Sequence, residues 1–263
     1  MKISAYIITF NEVDKIRDCI DSVLWADEII VADSYSTDGT TEIVESMNVK
    51  LVQIPFDGFG NIRNKAISHC NGDWIFSLDS DERCTEEVRD EIRSITDNED
   101  FDLYLVPKRN FFMGKWIKHS GWYPNYRQPQ LFRNGKMTYD LDPVHEGFLV
   151  HSNKSIGVLK NAIWQIPFKD MEQLLHKANR YSSLGVQKLE KRGVSGSITK
   201  AFFHGFWSFF KHYFLKLGIL DGGPGFIIAF SNFEGTFYRY VKLTESQKNW
   251  NTPTNPPVHN IIK

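Results

Sequence analysis

The sequence predicts an α/β chain, an open sheet with helices on both faces, followed by a helical carboxyl-terminal extension. Three observations carry that prediction. Apolar runs with strand character alternate with helical patterns through residues 1–108, and a short polar segment follows most of the runs. Residues 109–168 lose this rhythm and are rich in Phe, Trp, Tyr, Gly and Pro. From residue 169 the pattern is helical and the charge changes sign: residues 1–175 hold 19 Lys+Arg against 28 Asp+Glu, net −9, while residues 176–263 hold 12 against 4, net +8.

In chain order, Ile3–Thr9 reads as a strand that meets polar Thr9-Phe10-Asn11-Glu12, without the charged leader, long apolar stretch or cleavage site of a signal peptide. Val13–Leu24 reads as a helix, Glu28–Asp33 as a strand, Thr40–Met47 as a helix and Lys50–Ile54 as a short strand. Asn61–His69 follows as a helix, Trp74–Asp79 as a strand, Glu86–Ser94 as a helix and Phe101–Lys108 as a strand. Such a βαβ series places its ligand crevice at the carboxyl ends of the strands. Residues 109–168 suggest loops and hairpins beside the sheet, with strand-like Gln130–Arg133 and Gly147–Val150.

The predicted domains are 1–168, the sheet-bearing part, and 169–250, a basic helical extension, before a flexible tail over 251–263. Asp170, with Gln173 three positions on, signals a helix start, and that helix runs to about Lys191 before Arg192-Gly193-Val194-Ser195-Gly196 ends it. Ala201–Leu217 is amphipathic: at about 100° per residue the rings of Phe202, Phe203, Phe206, Trp207, Phe209, Phe210, Tyr213 and Phe214 share one arc. Lys200, His204, Ser208, Lys211, His212 and Lys216 lie opposite. Two readings stand side by side, a core helix and a helix lying on an anionic membrane; the interspersed Lys and His exclude a membrane span. Asp221-Gly222-Gly223-Pro224-Gly225 is a turn before a further helix, Phe226–Leu243.

With 263 residues, 41% hydrophobic and 24% charged, the chain is long enough for a substantial core, which excludes disorder and a disulfide-stapled miniprotein. Cys19, Cys70 and Cys84 show no paired spacing, so neither a disulfide framework nor a cysteine zinc site is indicated. A reducing compartment is the default. No nucleic-acid module is recognisable.

The strongest chemical signal is Trp74-Ile75-Phe76-Ser77-Leu78-Asp79-Ser80-Asp81-Glu82, an apolar strand running into three acids. Asp79 and Asp81 present hard oxygen ligands suited to Mg²⁺ or Mn²⁺ at a diphosphate; the plainer reading has Asp81, Glu82 and Glu86 cap the next helix. If the first two strands lie in one parallel sheet, Thr9-Phe10-Asn11-Glu12 and the segment from Asp33 to Thr40 share one rim, offering donors and acceptors to a base and ribose. Asp38 and Thr40 read as a turn and cap, which leaves Asp33 unexplained. Arg63 and Lys65 near the start of a helix oppose its dipole and read as phosphate or base contacts.

The series Ile7-Ile8-Thr9-Phe10-Asn11-Glu12, Asp33-Ser34-x-Ser36-Thr37-Asp38-Gly39-Thr40, Arg63-Asn64-x-Ala66, Gly72-Asp73-Trp74-Ile75 and Leu78-Asp79-Ser80-Asp81-Glu82 resembles, in order and spacing, the family-2 inverting glycosyltransferases of GT-A fold. Gly121-Trp122-Tyr123-Pro124, Leu131-Phe132-Arg133, Val144-His145-Glu146, Asn179-Arg180-Tyr181 and the segment Tyr213–Gly222 resemble a bacterial branch that contains the lipopolysaccharide-core β-1,4-glucosyltransferases. The resemblance implies a Rossmann-like mixed sheet. It implies metal-dependent transfer of a hexose, glucose, from a UDP-sugar to a lipopolysaccharide-core or other lipid-linked acceptor at the inner, cytoplasmic face of the membrane. It also implies that Thr9, Asn11, Glu12, Asp33 and Arg63 hold the nucleotide, with Asp33 accepting from the uracil ring. Asp79, Ser80 and Asp81 would form the Asp-x-Asp segment, Asp81 on the metal and Asp79 on ribose or metal. One departure is Pro129-Gln130-Leu131-Phe132 where the branch shows Leu-Arg-Leu-Phe; Arg127 and Arg133 are the nearby substitutes for that charge.

An inverting transfer needs a base for the acceptor hydroxyl. Asp142, His145 and Glu146 are the candidates, with Glu146 expected in the role and His145 to orient it. Trp116, Trp122, Tyr123 and Tyr126 read equally as an acceptor-sugar platform or as packing, and His119 and His151 as satisfied structural histidines. Two competing classes are a haloacid-dehalogenase-type phosphatase, whose Asp-x-Asp belongs on the first strand, and a silent nucleotide-sugar or glycan-binding module.

Overall fold

The structure, a computed structural model, describes residues 1–97, 100–124, 128–141 and 147–248. β1 (Ile3–Thr9) is buried along its whole length, as the apolar run required, and its alternating side chains feed two cores. It pairs in parallel with β2 (Glu28–Asp33) on one side and with β4 (Trp74–Asp79) on the other, and β3 (Lys50–Gln53) extends the sheet beyond β2. Ala5 and Ile7 of β1, with Trp74, Phe76 and Leu78, pack against α1 (Ile16–Asp21), α2 (Thr40–Ser46) and α4 (Glu86–Ile95). Tyr6 and Ile8 point the other way, onto α3 (Phe59–Ser68). Helices therefore cover both faces.

Beyond β4 come β5 (Glu82–Arg83), β6 (Leu103–Leu105), β7 (Lys108–Phe112), β8 (Lys115–Trp116), β9 (Pro129–Arg133), β10 (Met137–Tyr139), β11 (Phe148–Val150), β12 (Gly157–Val158) and β13 (Ile163–Gln165). The main sheet runs β12-β6-β9-β4-β1-β2-β3, and β9 makes it mixed by pairing antiparallel with β4 and β6. A small sheet, β5-β13-β7-β8, leaves the carboxyl end of β4 through β5. Residues 101–108, expected as one strand, split into β6 and the start of β7, which belong to different sheets.

The chain forms two compact units, the first Met1–Lys118 with Trp122–Pro167, the second His119–Gly121 with the chain from Phe168 onward. In the second, Asp170 caps α5 (Met171–Lys191) by accepting from Gln173 N at 2.8 Å, while Gln173 Oε1 accepts from Lys169 N. α6 (Ile198–Phe210) is followed by a π turn (Lys211–Leu215), a 3-10 turn (Gly218–Asp221) and α7 (Gly223–Gln247). The helix expected over 201–217 runs without a break from α6 through the π turn to Leu215, and Leu217, at φ 55°, ends it. Buried Asp221 accepts from His119 N, His119 Nδ1 and Ser120 Oγ, which ties residues 119–121 into this unit. In α6 only Ala201 and Gly205 are buried, because the helix approaches α7 through small residues: a Cβ on Gly205 would stand 3.1 Å from the Phe233 ring. Phe202, Phe203, Phe206, Trp207 and Phe214 are exposed, so the core-helix reading fails for them, whereas Phe209 and Tyr213 pack on Phe226 of α7. No helix among the described residues is long and apolar enough to cross a membrane.

Candidate active site

β1 lies at the point where the crossovers change direction, with β2 to one side and β4 to the other, which in an open sheet is the ligand-binding position at the carboxyl end. Register aligns Thr9 with Asp33 and Ile8 with Asp79. The rim beside β1 and β2 is cross-braced. Asn11, left-handed at φ 53°, accepts from Thr37 N through Oδ1 at 2.9 Å and donates its own N–H to Ser36 Oγ at 2.8 Å. Fully buried Asp33 accepts from Ser36 N at 2.8 Å and from the Ser36 hydroxyl. Asp38 and Thr40 are structural as expected, Asp38 accepting from Val13 N and Thr40 N while Thr40 Oγ1 accepts from Glu12 N. Glu12 also pairs with Lys15 at 3.1 Å. Thr9 Oγ1 and Ser34 Oγ are buried at this rim without a hydrogen-bond partner, a cost that a bound polar ligand removes. Ser34 belongs to the segment expected to offer donors and acceptors at this rim, without a role of its own.

At the end of β4, one carboxylate oxygen from each of Asp79, Asp81 and Glu82 lies within 4.8 Å of the others. None of the three caps α4, whose N-cap is Thr85, accepting from Val88 N. They are not equivalent. Glu82 is fully buried, and its oxygens accept from the Lys108 ammonium, from Gln130 Nε2 at 2.7 Å and from Asp79 N at 3.0 Å. Burial alone would lower the Lys108 pKa, but the Glu82 charge beside it, with Asp79 and Asp81 behind, raises it. Glu82 is therefore consumed from within, and the donor set that fits a hard divalent cation is Asp79 with Asp81. Asp81 also accepts from Gln165 Nε2 at 3.3 Å. Arg83 donates to the carbonyls of Ser80, Glu82 and Lys15, which clamps buried Ser80 and the turn between the two aspartates.

Arg63 stands differently from expectation. α3 begins at Phe59, two residues earlier than read, so Arg63 leaves the first turn and the dipole argument lapses. It is buried, donating to Asp79 Oδ1 at 2.6 Å and Ser77 Oγ at 3.3 Å with Tyr139 beneath it. Burial opposes its charge, yet the Asp79 carboxylate and the tyrosines Tyr139 and Tyr6 hold its pKa well above the usual guanidinium value. Gln130 is likewise interior, donating to Ser77 O and Glu82, so its neutral amide completes the Glu82 network. Lys108 and Gln165 went unread; a lysine closing an apolar strand was the signal for the first.

On the small sheet, Trp116 is contacted by Tyr123 edge-on and by the cations of Arg109 and Lys118 at 4.8 and 4.7 Å. Trp122 packs on Phe112. Trp164, tilted against Phe111 at 4.9 Å and 44% exposed, is the more accessible ring and was not singled out. His119 is satisfied by Asp221, and His151 by Thr138 Oγ1 at 2.9 Å. Asp142, His145 and Glu146, with Tyr126 and Arg127, lie outside the described residues. All three cysteines are buried and free, and burial raises the thiol pKa of Cys70 and Cys84 to about 12 and that of Cys19 well above the usual value, which leaves no reactive thiol among them.

The rim at the switch point, with an acidic pair at one strand end and polar loops at its neighbours, is where open α/β sheets bind their ligands. The profile of glycosyl transferase family 2 matches residues 4–156, and the chain belongs to that family. A relative from Rickettsia felis, described as an uncharacterised glycosyltransferase, is 32% identical, with 93% of this chain and 90% of the relative covered. The lipopolysaccharide core biosynthesis glycosyltransferase LpsC of Rhizobium meliloti is 28% identical over 92% of each chain. Among solved structures, TarS residues 1–349 of S. aureus in complex with UDP aligns with a TM-score of 0.52 at 18% identity, covering 94% of this chain and 91% of that one. The fold is GT-A, the protein is a glycosyltransferase, and the phosphatase alternative falls.

Proposed function

We propose that this glycosyltransferase moves a hexose, glucose, with inversion from a UDP-sugar to a lipopolysaccharide-core or other lipid-linked glycan at the cytoplasmic face of the membrane. The observation that carries the donor reading is the coincidence, on adjoining strands of one rim, of the unpartnered Thr9 and Ser34 hydroxyls, Asp33, and the Asp79–Asp81 pair. TarS, of the same fold, has been crystallised with UDP and with UDP-GlcNAc, and the likeness to LpsC supports the acceptor class.

In this reading Thr9, Asn11, Glu12 and Asp33 receive the uridine, Asp33 accepting from the ring. Ser80 keeps the turn tight, and Asp79 and Asp81 hold Mg²⁺ or Mn²⁺. The metal supplies neutralisation of the diphosphate. Arg63 serves the nucleotide side through Asp79, which it orients. The acceptor oxygen forms a bond to the anomeric carbon as the bond from that carbon to the phosphate oxygen breaks and its electron pair leaves with UDP. Glu146, oriented by His145, takes the hydroxyl proton, with Asp142 the other candidate. Trp164 and Phe111 join Trp116 and Tyr123 as a surface on which acceptor sugars stack.

Calorimetry with UDP-, GDP- and CMP-sugars, with and without Mn²⁺, on wild type and Asp81→Ala tests the donor. One UDP-sugar is expected to bind with metal and to lose binding in Asp81→Ala; absence of all nucleotide-sugar binding refutes the reading. Glu146→Gln is expected to abolish turnover while retaining donor affinity, and retained turnover removes Glu146 from the role. Wild-type turnover also separates the enzyme from a silent binding module.

A further inference from the structure

Part of the aromatic arc is packed within its own unit, where Phe209 and Tyr213 meet Phe226 of α7 edge-on at 5.7 Å, and the rest is not. Ala201 and Gly205 face α7, and the rings at the amino-terminal end of the arc face solvent: Phe203 is 66% exposed and Trp207 56%, with Leu220 of the following 3-10 turn at 61%. Phe202, Phe206 and Leu215 are exposed beside them. The rings contact each other: Phe202 stacks on Phe206 at 6.4 Å, Trp207 on Phe210 at 5.9 Å, and Phe210 meets Phe214 at 5.2 Å. An apolar surface of this kind marks an interaction site.

Charge selects the occupant. Residues 191–233 carry Lys191, Arg192, Lys200, Lys211 and Lys216 and a single acid, Asp221, which is buried against His119 and Ser120. Exposed rings along one side of α6, with exposed Lys200 and Lys211 on the other and no acid within residues 198–220, complement an anionic bilayer, where rings enter the headgroup boundary and the long lysine side chains reach back to the phosphates. A second copy of the chain docked face to face would bring like charges together. No helix among the described residues is long and apolar enough to span the bilayer.

We infer that the aromatic face of α6 and the turns after it form a docking surface for an anionic lipid bilayer. The surface stands on α6 and α7 alone; its service to catalysis rests on the lipid-linked acceptor proposed above.

The full-length protein is sedimented with phosphatidylcholine vesicles, with and without phosphatidylglycerol at about a third of the lipid. Binding is expected on the anionic vesicles and to weaken as salt is raised. Phe203→Ser with Trp207→Ser is expected to lower the partition coefficient about tenfold or more. Lys200→Glu with Lys211→Glu is expected to lower it on anionic vesicles alone. Because these residues are exposed, the thermal midpoint stays near wild type, which separates lost docking from lost fold. Wild type remaining in the supernatant at every composition, or variants that bind as wild type does, overturns the inference. A concentration-dependent dimer in sedimentation velocity that the ring substitutions dissolve, without vesicle binding, assigns the face to a second copy instead. Vesicle binding without nucleotide-sugar binding leaves this surface standing and removes the donor reading.

Discussion

Replacing Lys108 by Met strands the Glu82 charge. In the native protein Glu82 is 0% exposed and Lys108 is 6% exposed, so neither is screened by water. Removing one partner of a buried ion pair costs about 3–5 kcal/mol, because the remaining charge is left without compensation. Glu82 keeps two donors, Gln130 Nε2 at 2.7 Å and Asp79 N at 3.0 Å, which places the loss toward the lower end, about 3 kcal/mol. Against a total stability of about 5–15 kcal/mol, that is a fifth or more of the whole. Urea unfolding followed by tryptophan fluorescence measures it as a lower midpoint at unchanged slope. Adding Glu82→Gln removes the stranded charge and is expected to recover most of the loss, leaving a deficit of about 1 kcal/mol from the altered hydrogen bonds. A Lys108→Met cost below about 1 kcal/mol, the scale of an exposed pair, or a double variant no better than the single one, refutes the network.

Thr9→Val replaces an unpartnered buried hydroxyl by a methyl of the same shape; stability is expected to hold or rise, while UDP-sugar affinity measured by calorimetry falls about fivefold to tenfold, the worth of one hydrogen bond of about 1 kcal/mol. Gly60→Ala places a Cβ 2.0 Å from the Asp140 carbonyl oxygen, so α3 must retreat and carry Arg63 away from Asp79; a loss of about 1–3 kcal/mol in thermal unfolding is expected, together with weaker donor binding. Burial tends to raise the Glu28 pKa, but hydrogen bonds from Ser4 Oγ, Asn71 N and Asn71 Nδ2 lower it below the ordinary 4.5. A lowered carboxylate pKa stabilises the fold fully above the unfolded value and loses that contribution as pH falls through the folded one. Glu28→Gln is therefore expected to flatten the acid limb of the stability profile below about pH 4.5, and an unchanged limb counts against it.

Much of the first unit was legible from local pattern. The unbroken apolar runs at Ile3–Thr9 and Trp74–Asp79 are what a strand buried on both faces requires, and the polar segments after them marked the rim where Thr9, Asp33 and Asp79 stand. Asp38 and Thr40 were readable as a turn because Asp and Thr close such turns with their own side chains. Side-chain partners far apart in sequence were not readable. That Lys108 neutralises Glu82 and that Gln130 sits inside the same network depend on β5, β7 and β9 being gathered around the end of β4, and that Arg63 pairs with Asp79 depends on α3 packing against that strand end. The direction of the α6 arc was equally undetermined. An amphipathic pattern states that a helix has two faces, and only its approach to α7 through Ala201 and Gly205 decides that Phe202, Phe203, Phe206 and Trp207 face outward while Phe209 meets Phe226. Periodicity and turn chemistry act over a few residues and are written in the sequence, whereas the pairing of buried charges and the choice of packing face are set by which distant elements come together.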